Sequence, residues 1–301
     1  MATLPERSRD YVGPVTDTRA WEDFDLRDDD IILSTPPKCG TTWSQAIIMM
    51  LLNGAAETER PIWKESLWLD CGFRGQDKAV EALNNQTTRR CIKSHSPLDS
   101  IPFNPKVTYI TVYRHPVDVH FSLEKHVANM TADVLQFMYP EQAGAAFKRF
   151  LTAPETDAGT DDLTLASLLH HYRSFSAWAH LPNVHFFHYA DLKRDLAYEI
   201  RRYAAAMGVS PSDRLIDEIT AATSFPSMKQ VTRNTQDTAG PSAFKDVAGF
   251  FHSATSNKWV GRLSDAEVEA YHAKFSQIAQ PSEVSWLENG TPATGTSMLH
   301  D

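Results

Sequence analysis

The chain has 301 residues, of which 42% are hydrophobic and 10% aromatic, so it is long enough to bury a large core, and disorder is excluded for most of it. The formal net charge of -9 argues against a protein that coats nucleic acid or an anionic membrane surface. The longest apolar run, residues 46–52, is far shorter than the roughly 20 residues that a membrane-spanning helix needs.

The N-terminus and the cysteines predict a cytoplasmic protein with free thiols. The first ten residues contain no apolar stretch of the kind that a secretory signal requires. Cys39, Cys71 and Cys91 are odd in number and widely spaced, which fits neither a disulfide framework nor zinc-ligand spacing. We therefore expect reduced cysteines and no metal site.

The first half of the chain contains two units with the order strand, loop, helix. Residues 31–35 form a short apolar run that leads into a helical stretch over 41–53, which ends at Gly54. Residues 107–113 are rich in β-branched and aromatic side chains, and Pro116 suits the first position of the helix that follows.

A third unit begins with a strand over 184–189, followed by a helix for which Asp191 is the expected N-cap. Strands that alternate with helices at this spacing predict an α/β fold, in which a central parallel sheet is flanked by helices. We expect a single domain over residues 1–301, with ligands bound beyond the carboxyl ends of the strands.

Three stretches lack this pattern. We expect an irregular N-terminal segment over about 1–29 and a polar excursion, or lid over the acceptor, over about 139–162. The last stretch, about 280–301, shows no periodicity and predicts a loosely held tail, in which Trp286 and Leu287 could dock.

The loop after the first strand is a candidate anion site. A strand that turns through a glycine-containing loop into a helix presents unpaired backbone N–H groups, and the helix dipole adds positive potential. Lys38 lies just before this positive end, which is unfavourable unless an anion lies between them. The loop is therefore P-loop-like, although it lacks the GxxxxGK[ST] arrangement. A tight turn with a solvated lysine is the alternative.

Arg114 is a second cation at the start of a helix, directly after a strand. Ser122 lies about two turns into that helix and could offer a hydroxyl on the same side. The alternative for Arg114 is an ion pair with Asp118. Two cations at strand ends favour a nucleotide that carries phosphates at both ends.

Lys93 and His95 lie two residues apart in an extended segment, so their side chains point to the same side. A histidine, with an unperturbed pKa of about 6.5, is suited to take a proton from a hydroxyl. Since the chain has 12 histidines, most of which must be structural or exposed, His95 alone is weak evidence.

Five motifs in order resemble the cytosolic-type sulfotransferases, which transfer a sulfuryl group from 3′-phosphoadenosine 5′-phosphosulfate (PAPS) to a hydroxyl or amine. PPKCGTTW resembles the family's TYPKSGTTW, IKSHSP resembles KTHLP, and YRHPVDVHFS resembles RNxxDVxxS. FHYADLKRD and ATSFPSMKQ resemble FxYEDMKxD and TSFxxMK. The resemblance covers about residues 30–259 and indicates a bacterial-like member.

The resemblance implies His95 as the catalytic base, with Lys38 and Lys93 as cations on the transferring group. It also implies a set of donor contacts spread over four parts of the chain. These are Lys38, Cys39, Gly40, Thr41, Thr42 and Trp43 in the loop, with Trp43 stacked on adenine, then Arg114 and Ser122 at the 3′-phosphate, and Tyr189, Thr223, Phe225 and Met228 near the adenine.

Two positions depart from the family's pattern. Cys39 replaces the usual serine, and a thiol in an electropositive loop could oxidise. The motif RKGxxGxW appears as HSATSNKW, so His252, Ser253 and Ala254 would contact the donor without two of the usual cations. The short dimer motif of the animal enzymes has no match, and the resemblance implies no oligomeric state.

The predicted reaction is an in-line displacement from PAPS to a small, aromatic or lipophilic acceptor, with no metal and no nucleic-acid partner. Trp21, Phe24, Trp68 and Phe147 lie in segments that flank the acceptor cleft of the family, although each is equally a candidate core residue. One alternative is a phosphate-loop kinase or nucleotide hydrolase, which would require magnesium and ATP. The other is a non-catalytic protein that binds PAPS or its product PAP.

Overall fold

The computed structural model of the protein describes residues 3–72, 76–234, 244–246, 256–257 and 259–291. A four-stranded sheet at its centre consists of β1 (Ile31–Ser34), β2 (Cys91–Ser94), β3 (Thr108–Tyr113) and β4 (Val184–His188). The strands run parallel in the order β2-β1-β3-β4. The predicted α/β fold with a central parallel sheet is therefore confirmed.

Helices precede, follow and cover these strands. Within the described residues they are α1 (Thr41–Asn53), α2 (Ile62–Glu65), α3 (Gln76–Asn84), α4 (Pro116–Asn129), α5 (Ala145–Thr152), α6 (Leu165–Ser176), α7 (Tyr189–Arg194), α8 (Leu196–Ala206), α9 (Asp213–Ala222), α10 (Phe225–Asn234), α11 (Asp265–Ile278) and α12 (Pro281–Asn289).

The sheet is buried on both faces, and every residue of β1 and β3 is accordingly buried rather than every second one. Ile31 and Leu33 pack with residues of α1, α8 and α9 on one face. Ile32 points the other way, into the larger cluster that includes residues of α4, α5 and α6. This double cover leaves the ends of the strands as the place where polar side chains can meet.

The parallel arrangement brings four predicted site residues to one edge. The segments that directly follow β1, β2, β3 and β4 carry Lys38, His95, Arg114 and Tyr189. From β1 the chain passes to β2 on one side and then crosses to β3 on the other, so the strand order reverses at β1. Open parallel sheets bind ligands at such a switch point.

The predicted N-cap role of Asp191 is wrong. Helix α7 already begins at Tyr189, and the ring of His188 accepts the N–H of Ala190 in the capping position. The carboxylate of Asp191 instead accepts the N–H of Thr291 at 3.0 Å and pairs with Arg194. It therefore ties the C-terminal end of the described chain to the strand end.

The predicted loose tail is also wrong over residues 281–289, which form α12. Pro281 occupies the first turn, Leu287 is fully buried, and Glu283 pairs with Arg173 of α6 at 2.7 Å. A helix of nine residues is too short to show a clear hydrophobic period. Residues 292–301 lie outside the described residues.

The other two irregular stretches pack against each other. Residues 3–29 contain a 3-10 turn at Thr18–Trp21 and otherwise no helix or strand. The excursion contains α5, whose Phe147 and Phe150 are buried. Its Asp161 carboxylate accepts the N–H groups of Val15 and Thr16 at 2.7 and 2.6 Å. A role as a lid over the acceptor stays a prediction.

Because several histidines are buried, we expect the folded state to become less stable as the pH falls. Burial lowers the pKa of His120 and His171 to about 3 and that of His188 to about 4. In the unfolded chain each titrates near 6.5, so the unfolded state binds more protons as the pH falls below that value. The free energy of unfolding should then decrease by up to about 1.4 kcal/mol per pH unit for each histidine.

Urea unfolding at pH 7.0 and 5.5 measures this loss. His120→Phe should reduce it, because a phenyl ring suits the aromatic surroundings of His120 and does not titrate. The matched variant His180→Phe changes an exposed histidine and should leave the loss unchanged. A free energy of unfolding that is equal at both pH values would contradict the prediction.

Candidate active site

The loop between β1 and α1 has an unusual backbone. Lys38 has φ 66° and Gly40 has φ 112°, and a lysine in the left-handed region is strained in the way that functional loops often are. A Cβ on Gly40 would lie 3.2 Å from the ring of Tyr189. The hydroxyls of Thr35 and Thr41 meet at 2.6 Å across the loop. The chain is thus held tightly at the N-terminus of α1, where the dipole favours an anion.

Cys39 faces the interior of this loop. Its side chain is fully buried, and burial raises the pKa of its thiol to about 12. Burial and a raised thiol pKa argue against ready oxidation of Cys39, because the thiolate is the reactive form. Any contact of Cys39 with the donor would involve its backbone.

The predicted base is held in one tautomer. His95 is 8% exposed, and its Nδ1 lies 2.7 Å from the carbonyl oxygen of Thr35. A carbonyl only accepts, so Nδ1 carries the hydrogen and Nε2 has the lone pair. Burial, followed by the charge of Lys93, lowers the pKa of His95 well below 6.5. The ring is therefore neutral at pH 7, with Nε2 ready to accept a proton.

Trp68 contacts both His95 and Lys93. Its ring meets the ring of His95 edge to face at 4.8 Å, and the Nζ of Lys93 lies 4.2 Å from its centre. Of the four aromatic residues proposed for the acceptor cleft, only half-buried Trp68 has this contact with the base among the described residues. Trp21, Phe24 and Phe147 are buried members of the core.

His126 is a site residue that the sequence reasoning missed. Its Nδ1 lies 3.3 Å from the Nζ of Lys38, and its ring lies 5.0 Å from that of Phe244. Burial, together with the charges of Lys38 and Lys93, lowers its pKa well below the usual value. The available signal was spacing, since His126 follows Ser122 by four residues and so shares its face of α4.

Arg114 makes the ion pair that was the alternative to phosphate binding. Its guanidinium lies 3.6 Å from Asp118 and 4.2 Å from the centre of the Tyr189 ring. Asp118 also accepts the N–H of Asn257 at 3.1 Å. Asn257 has φ 58° at the position of the second glycine of RKGxxGxW, and asparagine tolerates this conformation. The Arg114–Asp118 pair therefore links the end of β3 to the segment around Asn257. It does not exclude an anion that binds to Arg114.

Trp43 and Tyr189 form an aromatic corner beside the loop, with ring centres 5.5 Å apart. The Nε1 of Trp43 is buried and has no hydrogen-bond partner within the described part of the chain. The hydroxyl of Thr223 donates to Ile219 within α9 at 2.7 Å, so it is already used by the helix.

The remaining predicted contacts lie on neighbouring elements. Thr42 and Ser122 are half-buried in α1 and α4, and Phe225 and Met228 lie in α10, directly after α9, which packs on α1. His252, Ser253 and Ala254 lie outside the described residues.

These features fit a nucleotide with anionic groups at both ends. Lys38 follows β1, Lys93 lies in β2, Arg114 follows β3, and the aromatic corner adjoins the loop between β1 and α1. A side chain at Gly40 would crowd the ring of Tyr189. Across the described ranges, no cluster of three or more histidine, cysteine or acidic side chains is arranged to hold a metal ion. Likewise, no helix in those ranges is long and apolar enough to cross a bilayer.

Residues 28–282 match the model of the sulfotransferase domain family. Because the match covers most of the chain, the protein belongs to the sulfotransferases. The predicted class of reaction, PAPS-dependent sulfuryl transfer, is confirmed with it, and the alternative of a phosphate-loop kinase or hydrolase is set aside.

Individual relatives agree with this assignment. The chain is 29% identical to the glycolipid sulfotransferase of Mycobacterium tuberculosis, over 93% of this chain and 94% of that protein. It is 27% identical to sulfotransferase 1E1 of Bos taurus, over 88% of each. Its fold is similar to that of mouse sulfotransferase SULT7A1 complexed with PAP, at a TM-score of 0.69 and 22% identity over 89% of this chain and 90% of that one.

Gly40→Ala should weaken nucleotide binding by about tenfold or more, since the added Cβ meets Tyr189 and φ 112° is strained for alanine. Titration calorimetry with PAP measures this. Gly54→Ala is the matched control, because Gly54 has φ 63° at the other end of α1 with no atom within 4 Å of the added Cβ. Equal PAP affinity in wild type and Gly40→Ala would contradict the prediction.

Proposed function

We propose that the protein transfers the sulfuryl group of PAPS to the hydroxyl of a small lipophilic acceptor, with His95 as the general base. The observation that carries the proposal is the hydrogen bond from His95 Nδ1 to the carbonyl of Thr35. It fixes the tautomer that a base needs and leaves Nε2 to receive the proton of the acceptor.

PAPS, when bound, supplies the sulfuryl group and the leaving nucleotide. His95 takes the hydroxyl proton at Nε2, a role worth roughly 10² to 10⁴ in rate. The imidazolium that results keeps its Nδ1–H bond to Thr35. Because the resting ring is neutral, no competing proton has to leave first.

Lys38 and Lys93 stabilise the negative charge that develops during transfer. Fixed cations in a partly desolvated site act strongly because they need no reorganisation during the reaction. His126 contacts the ammonium of Lys38, and Trp68 lies against that of Lys93. Each cation is therefore held beside the base by a defined neighbour.

The nucleotide is held by the elements around the switch point. We assign the 5′ side to the backbone of residues 38–42 at the start of α1, and the 3′-phosphate to Arg114 and Ser122. Trp43 and Tyr189 flank the adenine, with Thr223, Phe225 and Met228 nearby. His252, Ser253 and Ala254 complete the proposed donor site on the basis of the family motif alone.

The acceptor is proposed to be a lipophilic alcohol. Trp68 borders the base, and Phe244 borders His126, so two rings lie near the point of proton transfer. The relative from Mycobacterium tuberculosis is a glycolipid sulfotransferase similar over nearly the whole chain, which supports a hydroxyl on an apolar carrier. The excursion over 139–162 is proposed to shape this pocket.

A screen with PAPS carrying a radioactive sulfate tests the acceptor class. Glycolipids, sterols, phenols, amines and free sugars are supplied at equal concentration, and transfer of label is measured. Lipophilic alcohols should be the best acceptors. Binding of PAP without transfer to any compound would instead favour the non-catalytic binder, and preference for free sugars would contradict a lipophilic pocket.

Variants at the site should separate the chemical step from donor binding. His95→Ala should lower kcat by about 10² to 10⁴ while PAP binds as in wild type, because the imidazole acts on the acceptor. Lys38→Ala should reduce both kcat and the affinity for PAP. His180→Ala, at an exposed position, is the control. Normal turnover by His95→Ala would refute its role as the base.

A further inference from the structure

Asp70 is a buried carboxylate behind the proposed base and cation. It belongs to a segment that runs along the outer edge of β2, where Trp68 pairs with Lys93 and the N–H of Leu69 donates to the carbonyl of Lys93. Its side chain is fully buried. A charged group in this position requires a local structural reason, because burial of an unsatisfied carboxylate is costly.

Four side chains donate hydrogen bonds to this carboxylate. Two of them are indoles, which can only donate, so neither can accept a proton from a neutral carboxylic acid. Burial raises the pKa of Asp70, and the four donors counter that rise. The donors are Ser94 Oγ at 2.7 Å, Ser96 Oγ at 2.7 Å and Trp21 Nε1 at 3.2 Å, all to Oδ2, and Trp68 Nε1 at 2.7 Å to Oδ1.

Three of these donors adjoin His95. Ser94 and Ser96 are the chain neighbours of His95 on either side, so the carboxylate fixes the backbone that carries the imidazole. Trp68 is the ring that contacts both His95 and Lys93. The Asp70 carboxylate is thus linked to the backbone on either side of His95. Through Trp68 it is also linked to the ring that lies between His95 and Lys93.

We propose that Asp70 is a positioning residue that holds His95 and Lys93 in register for sulfuryl transfer. The inference rests on the proposed roles of those two residues. Asp70 acts on them through its hydrogen bonds with Ser94, Ser96 and Trp68.

Asp70→Asn keeps the size of the side chain and replaces one acceptor oxygen by a donor. Whichever way the amide is turned, its NH₂ group faces one of the two indole N–H groups, and two donors cannot bond. The segment must shift to separate them. Because misplacement of a reacting group by about 1 Å can cost about 100-fold in rate, we expect kcat to fall about tenfold or more while both KM values change less.

A double-mutant cycle with Trp68→Phe identifies the route of this effect. The phenylalanine retains a ring against His95 but has no N–H for Asp70. If Asp70 acts through Trp68, the loss of kcat in the double variant is smaller than the product of the two single losses. If the losses multiply, the proposed route is wrong.

Glu199→Gln is the matched control. Glu199 in α8 is another buried carboxylate, 3% exposed, and accepts a hydrogen bond from Arg202 at 2.7 Å. The variant should lower the melting temperature, as Asp70→Asn does, but leave kcat at the wild-type level. When it is combined with Trp68→Phe, kcat should equal that of Trp68→Phe alone.

An unchanged kcat in Asp70→Asn, or an equal loss of kcat in Glu199→Gln, overturns the inference. If Asp70→Asn does not fold, Ser96→Ala removes a single donor and should still reduce kcat more than KM. A Ser96→Ala variant whose melting temperature falls while its kcat is unchanged also overturns the inference. The proposed function is tested separately, because wild-type kcat in His95→Ala would refute the base even if Asp70→Asn were impaired.

Discussion

The hydrogen bond between His95 and the carbonyl of Thr35 joins the ends of two neighbouring parallel strands. Ser34 and Ser94 are paired in register at the last position of β1 and β2, so the next residue of each strand meets across the sheet edge. The contact therefore follows from the sheet itself rather than from a mobile loop. It selects the tautomer, and with burial it keeps the ring neutral. Lys38 and Arg114 follow the neighbouring strands, and Asp70 bonds to the side chains on either side of His95 in the chain.

Charge is distributed in a way that the overall composition conceals. The chain carries a formal net charge of -9, yet Lys38, Lys93 and Arg114 gather at the edge where the parallel strands end. Burial lowers the pKa of both His95 and His126, so the resting rings are neutral and do not add to the repulsion between the cations. The exclusion of extended polyanions drawn from composition thus coexists with a small cationic cleft suited to one nucleotide.

Much of this arrangement could be predicted from the sequence because motif and geometry coincide. A short apolar run followed by a polar loop marks each strand end, so the sheet and the positions of Lys38, His95 and Arg114 follow from local patterns. Asp70 could not be singled out in this way, since its contacts join distant segments. The spacing of His126 from Ser122 marks its face of α4 but does not show its contact with Lys38. The helix at 281–289 was missed because its burial is set by Leu287 and Trp286 packing on elements far away in the chain. The burial of Cys39 could not be predicted, because the sequence does not show which way a loop side chain points.

Nitrogen-15 NMR of the histidine side chains reports the charge and tautomer of His95, whose signals are assigned by comparison with His95→Ala. We expect His95 to be neutral at pH 6, with the hydrogen on Nδ1 and a chemical shift typical of an unprotonated nitrogen at Nε2. A pKa at or above 6.5, or a ring that carries its hydrogen on Nε2, would contradict this expectation.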